Sequence, residues 1–241
     1  MARAGYVTLL QPQDRKSRTA GDSPDAVEAR HALLVAGVGR RLIDRVSGAA
    51  ASRLPTSPAV VDLGAGTGAL LAGIASRVTI DAIGIDLSVA AMTHAARTHP
   101  TMTWIVANAD RRLPLRDGCI DLIVSMHGRR NPAECARVLA STGVLMVIVP
   151  AADDLRELRS AIGSRGIEAD RVPGVLADYE GTFTLAHRSR LEEHHRLERP
   201  VLRLLLRATY RGERHSAAAH VESLETLDVT LASDLLVFDR R

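Results

Sequence analysis

Three glycines at alternate positions, Gly64, Gly66 and Gly68, follow directly on the apolar run Val60-Val61-Asp62-Leu63, the densest concentration of chemically suggestive residues in the chain. Glycine lets a backbone turn sharply out of a strand and lie against a ligand, and the free N–H groups of a helix beginning near Thr67 then face that ligand. The spacing separates cofactor classes. Dinucleotide sites use Gly-x-Gly-x-x-Gly to seat a pyrophosphate, whereas here the third glycine falls one residue early and an acid, Asp62, precedes the loop. A carboxylate there favours a ligand with a cationic group. The run Asp81-Ala-Ile-Gly-Ile-Asp86 then ends in a second carboxylate about twenty residues beyond the glycines, where doubly wound folds bind a ribose diol. The alternative role for Asp86 is the N-cap of a helix starting near Ser88.

The elements that must hold these residues alternate in period, as a parallel sheet with flanking helices requires. Asp22-Ser-Pro-Asp-Ala reads as the cap and first turn of a helix running into the forties. Strands are expected near 58–63, 81–85, 102–106, 119–125 and 143–149, with helices near 67–77, 88–98, 131–140 and 153–163. Two late strands, near 182–189 and 228–238, with a helix near 200–209 between them, suggest an antiparallel edge. At 241 residues and 46% hydrophobic, the chain can bury one full core: an N-terminal segment and helix over 1–50 packing on a domain over 51–241. No stretch reads as a signal peptide and the apolar runs are too short to cross a bilayer, so a cytoplasmic protein without a membrane partner is expected. Cys119 and Cys135 form neither a disulfide framework nor a zinc set, and both are expected to be small buried hydrophobes. His194-His195 has no cysteine or acidic cluster arranged like a metal site, so no metal is expected. Lys16 is the only lysine, and a net charge of +3 does not by itself indicate a nucleic-acid partner.

The glycine loop with Asp62 and Asp86 resembles motif I and the acidic strand end of the class I S-adenosylmethionine (SAM) methyltransferases. That resemblance implies an α/β, Rossmann-like fold with a mostly parallel seven-stranded sheet and an antiparallel C-terminal edge. It implies S-adenosyl-L-methionine as cofactor, held by Asp62, Gly64, Ala65, Gly66, Thr67 and Gly68 and by Asp86 and Leu87. Residues after the other strands complete the set: Asn108, Ala109 and Asp110, then Ser125. The class usually places an acid against the adenine amine where this chain has Ala109, so Asn108 or Asp110 would substitute. The fourth strand should exit beside the transferred methyl into Ser125-Met-His127-Gly-Arg129-Arg130-Asn131-Pro. Methyl transfer needs no covalent residue, and His127 is the one candidate for accepting a substrate proton, with a hydrogen-bonded loop histidine as the alternative. Arg129 and Arg130 are candidate phosphate contacts or a solvated loop ahead of a helix capped by Asn131. On the helix near 200–209, Arg203 and Arg207 recur on one face with Arg199 and Arg211 just outside, either a stripe for an RNA backbone or a solvated face.

Over almost its whole length the sequence resembles the RlmA-type 23S rRNA (guanine-N1)-methyltransferases, a family that includes macrolide-resistance enzymes of antibiotic producers. The segments that carry this are Gly5-Tyr-Val-Thr-Leu-Leu10, Arg18-Thr-Ala-Gly-Asp-Ser23, Ala29-Arg30-His-Ala-Leu-Leu with Ala36-Gly37, Arg130-Asn-Pro-Ala-Glu134, Ala136-Arg-Val-Leu139 and Leu155-Arg-Glu-Leu158. The resemblance implies methylation of the Watson–Crick edge of a guanine in a 23S rRNA hairpin loop, with 23S rRNA or a ribosomal precursor as partner; whether the chain acts as monomer or homodimer is open. The chain begins where the family's zinc ribbon would end. Gly39 replaces a family aromatic residue and Asp154 a family histidine, both on the cofactor side in relatives. Two other functions fit the residues: a small-molecule methyltransferase of a biosynthetic cluster, and a non-catalytic RNA-binding protein on the same fold.

Overall fold

Buried β-branched runs make the central strands, and the glycines and prolines between them set where the chain turns. The computed structural model describes residues 2–11, 14, 21–163, 167–209 and 215–241. In chain order the elements are β1 (Val7–Thr8), α1 (Pro24–Val35), α2 (Arg40–Ala51), β2 (Ala59–Leu63), α3 (Ala69–Ala75), β3 (Asp81–Asp86), α4 (Val89–Thr98), β4 (Thr103–Val106) and β5 (Ile120–Met126). There follow α5 (Pro132–Val138), β6 (Leu139–Pro150), α6 (Arg156–Ala161), α7 (Val172–Tyr179), β7 (Phe183–Glu198), α8 (Arg199–Arg207), α9 (His215–Glu222) and β8 (Thr226–Arg240).

The strands form one sheet in the order β1-β4-β3-β2-β5-β6-β8-β7. β1 to β6 run parallel, β8 runs antiparallel to β6, and β7 antiparallel to β8. The order reverses between β2 and β5, where Val60, Val61 and Asp62 pair with Leu122, Ile123 and Val124. Ligands of doubly wound sheets bind at the carboxyl ends beside such a reversal. Val61, Leu63, Ile123 and Val147 fill one face of the sheet, and Val60, Leu122, Val124 and Met146 the other. A third cluster lies under α1, α6, α8 and α9, with Ala29, Leu158, Leu202 and Val221. Among the described residues, no helix is long and apolar enough to cross a membrane.

The sheet has eight strands where seven were expected. The additional one, β1, pairs Val7 with Ile105 and Thr8 with Val106, and two residues are too few to show a period. The expected N-terminal helix is two helices, because Gly37 (φ 90°) and Gly39 (φ 82°) adopt the left-handed conformation and break it. The buried Glu193 of β7 then accepts the N–H groups of Gly39 and Leu42 at the start of α2. The position of the family's aromatic residue therefore serves here as a left-handed helix start. α5 ends at Val138, with Leu139 already extended, so β6 begins earlier than expected. β7 runs on to Glu198, and α7 and α9 are elements with no sequence expectation behind them.

Candidate active site

At the end of β2 the chain turns through Gly64 (φ 83°), Gly66 (φ 53°) and Gly68 (φ 81°), all in the region that L side chains rarely adopt. Gly64 and Ala65 donate to the Ile85 carbonyl at 2.8 and 3.2 Å, tying the loop to the end of β3. Gly68, rather than Thr67, starts the helix, and α3 begins at Ala69. A β-carbon on Gly68 would lie 2.5 Å from the ring of Trp104, which is buried and fills the space behind the loop.

Asp62 is buried, and its Oδ1 has no partner among the described residues. Burial, and then the charge of Asp86, push its pKa up to about 8. Asp86 accepts the Gly66 N–H at 3.0 Å and the Ser88 N–H at 2.7 Å. Asp86 is thus built into the glycine loop, while the cap of α4 is Ser88, whose hydroxyl accepts from Ala91. Two carboxylates, one orphaned, beside a backbone cradle are the complement of a ligand with an ammonium and a ribose diol. Thr67 and Leu87 flank the cradle, half-buried.

Beyond β4, Asn108 is held from both sides. Its Nδ2 donates to Asp14 at 3.1 Å and its Oδ1 accepts the Asp110 N–H at 3.0 Å. Asp110 is exposed and ion-paired to Arg129 at 2.8 Å, so Asn108 is the inner of the two polar groups, with Ala109 buried between them. Asp14 was not foreseen. Almost wholly buried, it accepts from Gln11 N at 3.0 Å and Arg111 Nε at 3.0 Å, and Asn108 above all holds its carboxyl below the usual range.

The exit of β5 lies against the glycine loop through backbone contact. A β-carbon on Gly128 would sit 2.4 Å from the Leu63 carbonyl oxygen and 3.1 Å from Ser125 Oγ, and one on Gly64 would sit 3.0 Å from Gly128 Cα. Ser125 Oγ is buried without a partner among the described residues. His127 stands in the left-handed region (φ 57°), with its Nε2 2.9 Å from the hydroxyl of buried Ser233 on β8. Crowding by protein atoms, then the Arg30 and Arg171 cations, push its pKa down, while the residue keeps an exposed flank that moderates the effect. The imidazole is neutral near pH 7, with a nitrogen able to accept a proton. Arg130 donates to the Gly128 carbonyl at 2.9 Å, and its buried Nε has no partner among the described residues. Asn131 caps α5 as expected, accepting from Ala133 and Glu134, and its amide donates to the Asp110 carbonyl at 3.1 Å.

The arginine stripe lies elsewhere. Arg203 is ion-paired with Glu222 of α9 and Arg207 with Asp25 of α1, and Arg199 donates to the Leu224 carbonyl. Arg211 and the basic cluster Arg15, Lys16 and Arg18 lie outside the described residues. Cys135 is buried, with its thiol pushed up to about 12 by burial, but Cys119 is exposed just ahead of β5, against expectation. Asp154 accepts the Ala232 N–H at 2.9 Å, so this position supports the β8 backbone. Among the described residues, no group of three or more His, Cys, Asp or Glu could hold a metal ion.

This sheet, with its glycine loop and acidic strand ends, defines a class I SAM-dependent methyltransferase, whose cofactor is S-adenosylmethionine. Residues 60–143 match the family model described as a methyltransferase domain. The chain is 39% identical over 182 residues to the 23S rRNA (guanine(748)-N(1))-methyltransferase of Streptomyces fradiae, covering 74% of this chain and 63% of that one. It is 31% identical over 211 residues to a protein of Micromonospora griseorubida assigned as a 23S rRNA (guanine-N(1)-)-methyltransferase, covering 80% of this chain and 70% of the relative. Among solved structures it resembles a Bacillus halodurans protein described as a methyltransferase, with a TM-score of 0.59 at 14% identity over 82% of this chain and 97% of that one. The chain belongs to the RlmA-type family of 23S rRNA (guanine-N1)-methyltransferases, and it spans about two thirds of the length of the curated relatives it matches.

Proposed function

We propose that this protein transfers the methyl group of S-adenosylmethionine to N1 of a guanine in 23S rRNA. The observation that carries the proposal is the packing of the β5 exit on the cofactor loop: Gly128, whose backbone touches Gly64, directly follows His127. The cofactor supplies an activated methyl on a sulfonium. Asp62 and Asp86 would hold its ammonium and ribose, and the Asn108-Ala109-Asp110 turn its adenine side. Guanine N1 carries a proton at neutral pH, so attack on the methyl requires that proton to leave and charge to develop at O6. His127 accepts the proton, and Ser233 fixes the orientation of its ring. Arg130 and, once released from Asp110, Arg129 follow His127 in the chain and would stabilise the oxygen or a neighbouring phosphate. The relatives' names support the same acceptor. A base in an RNA loop must be unstacked to reach the carboxyl ends of the strands.

Primer extension on ribosomal RNA from cells with and without the gene tests this. A methyl on N1 blocks pairing, so a new reverse-transcription stop in 23S rRNA is expected, and its absence would overturn the guanine-N1 reading. If the modified base lies at the macrolide site, the same cells also gain tolerance to a macrolide. A second reading, a small-molecule acceptor, is favoured by the internal pairing of Arg203 and Arg207, which leaves that helix little net charge for RNA. It predicts label from methyl-labelled SAM in a metabolite extract and none in ribosomal RNA.

A further inference from the structure

The class usually places an acid near the adenine amine, and this chain has Ala109 in that position and an Asp110 committed to Arg129. A carboxylate nevertheless reaches Asn108, from ninety-four residues earlier in the chain. We propose that Asp14 is a positioning residue of the cofactor site, locking the Asn108 amide in the orientation that accepts a hydrogen bond from the adenine amine. This rests on the SAM reading of the site.

The chemistry is that of an amide beside an obligate acceptor. An ionised carboxylate only accepts, so the NH2 of Asn108 must face Asp14 and its Oδ1 must face away. There the Asp110 N–H occupies one of the two lone pairs of Oδ1, at 3.0 Å, and leaves the other for a donor. Adenine offers a donor at its 6-position; hypoxanthine, with an oxygen there, does not. The carboxylate is itself over-determined, held by Gln11 N and Arg111 Nε and shielded from water, so it cannot readily swing away to release the amide. Two neighbouring contacts show that the N-terminal segment is built into this rim of the sheet. Leu9 N donates to the Val106 carbonyl at 2.8 Å, directly ahead of the turn that carries Asn108. Ser88 Oγ donates to the Asp22 carbonyl at 2.7 Å, next to the ribose acid Asp86.

The test is calorimetric binding of S-adenosylhomocysteine and of its deaminated analogue, S-inosylhomocysteine, to the full chain. Wild type is expected to prefer the adenine compound. Asp14→Ala and Asn108→Ala should each reduce that preference about five- to tenfold, the worth of one hydrogen bond, and the double variant should reduce it no further. Asp14→Leu, which keeps about the size of the side chain but offers no acceptor, gives the same direction should the alanine variant fail to fold. Equal weakening of both compounds by the Asp14 variants, or no change in either, would overturn the positioning role while leaving the cofactor reading intact. Failure of wild type to bind either compound overturns that reading and the inference with it.

Discussion

The carboxyl ends of β2, β3 and β5 and the β7–α8–α9 region treat polar groups in opposite ways. In the second region nearly every long charged side chain has a partner: Arg188 with Asp234, Arg190 with Asp153 and Glu192, His195 with Glu193, Arg203 with Glu222 and Arg207 with Asp25. At the strand ends the buried Asp62 Oδ1, Ser125 Oγ and Arg130 Nε have none among the described residues, and a non-glycine residue, His127, is held at positive φ. Buried polar atoms are ordinarily satisfied, so a cluster of orphans marks where a ligand supplies the missing partners. A density of arginine in the sequence is a weaker guide, because exposed charges find each other within the fold.

Substitutions can break or sharpen this contrast. The largest effect is expected from His127→Ala, which should lower kcat for rRNA methylation on the order of a hundredfold while SAM binding, measured by calorimetry, stays within about twofold. If kcat is unchanged, the histidine is only a loop residue. Gly128→Ala places a β-carbon against the Leu63 carbonyl and must push the two loops apart; SAM affinity should fall at least tenfold, in keeping with the cost of a misplaced loop. Retention of wild-type affinity would show that the loops are not coupled.

A milder effect concerns pH. With its pKa raised to about 8, Asp62 is protonated in the free protein at neutrality and must ionise to meet an ammonium. SAM affinity should therefore rise with pH by up to about tenfold per unit between pH 6 and 8, with release of a proton, and level off above 8. The sign for stability is opposite. Between the ordinary aspartate range and pH 8 the unfolded chain ionises at this residue and the folded one does not, so the free protein loses stability as pH rises through that window. Asp62→Asn should flatten both profiles, and calorimetry and thermal melts across pH read them. The smallest effect belongs to the other region. Arg203→Ala and Arg207→Ala remove solvent-screened, exposed ion pairs and should change methylation less than about threefold. A larger loss of RNA binding would restore the stripe as a substrate surface.

How far the sequence reveals this molecule depends on how local each determinant is. Strands β2 to β5 are legible because their runs are apolar and, for β2 and β3, end at a glycine or an acid, and the glycine loop is legible because its whole logic lies within residues 62–68. β1 is too short to carry a pattern, and β7, rich in arginine, histidine and glutamate, hides its length because much of it is exposed. The split of α1 from α2 was signalled by Gly37 and Gly39, whose weight depends on the φ they adopt. At the site, the place of Asp86 at the end of β3 and the capping role of Asn131 could be read from neighbours in the chain. Asp14 and Ser233 could not, since they meet Asn108 and His127 across separations of 94 and 106 residues. Gly128 had a local signal, a small residue after the strand, but its meaning lies in the approach of two distant backbones.

The one tryptophan of the chain, Trp104, is buried with its indole against Gly68 and Gly84 and its Nε1 donating to the His99 carbonyl at 3.0 Å. Its emission is therefore a private optical channel onto the back of the cofactor loop: ordering of that loop by a ligand changes the surroundings of a single fluorophore, and titrations can follow it without any label.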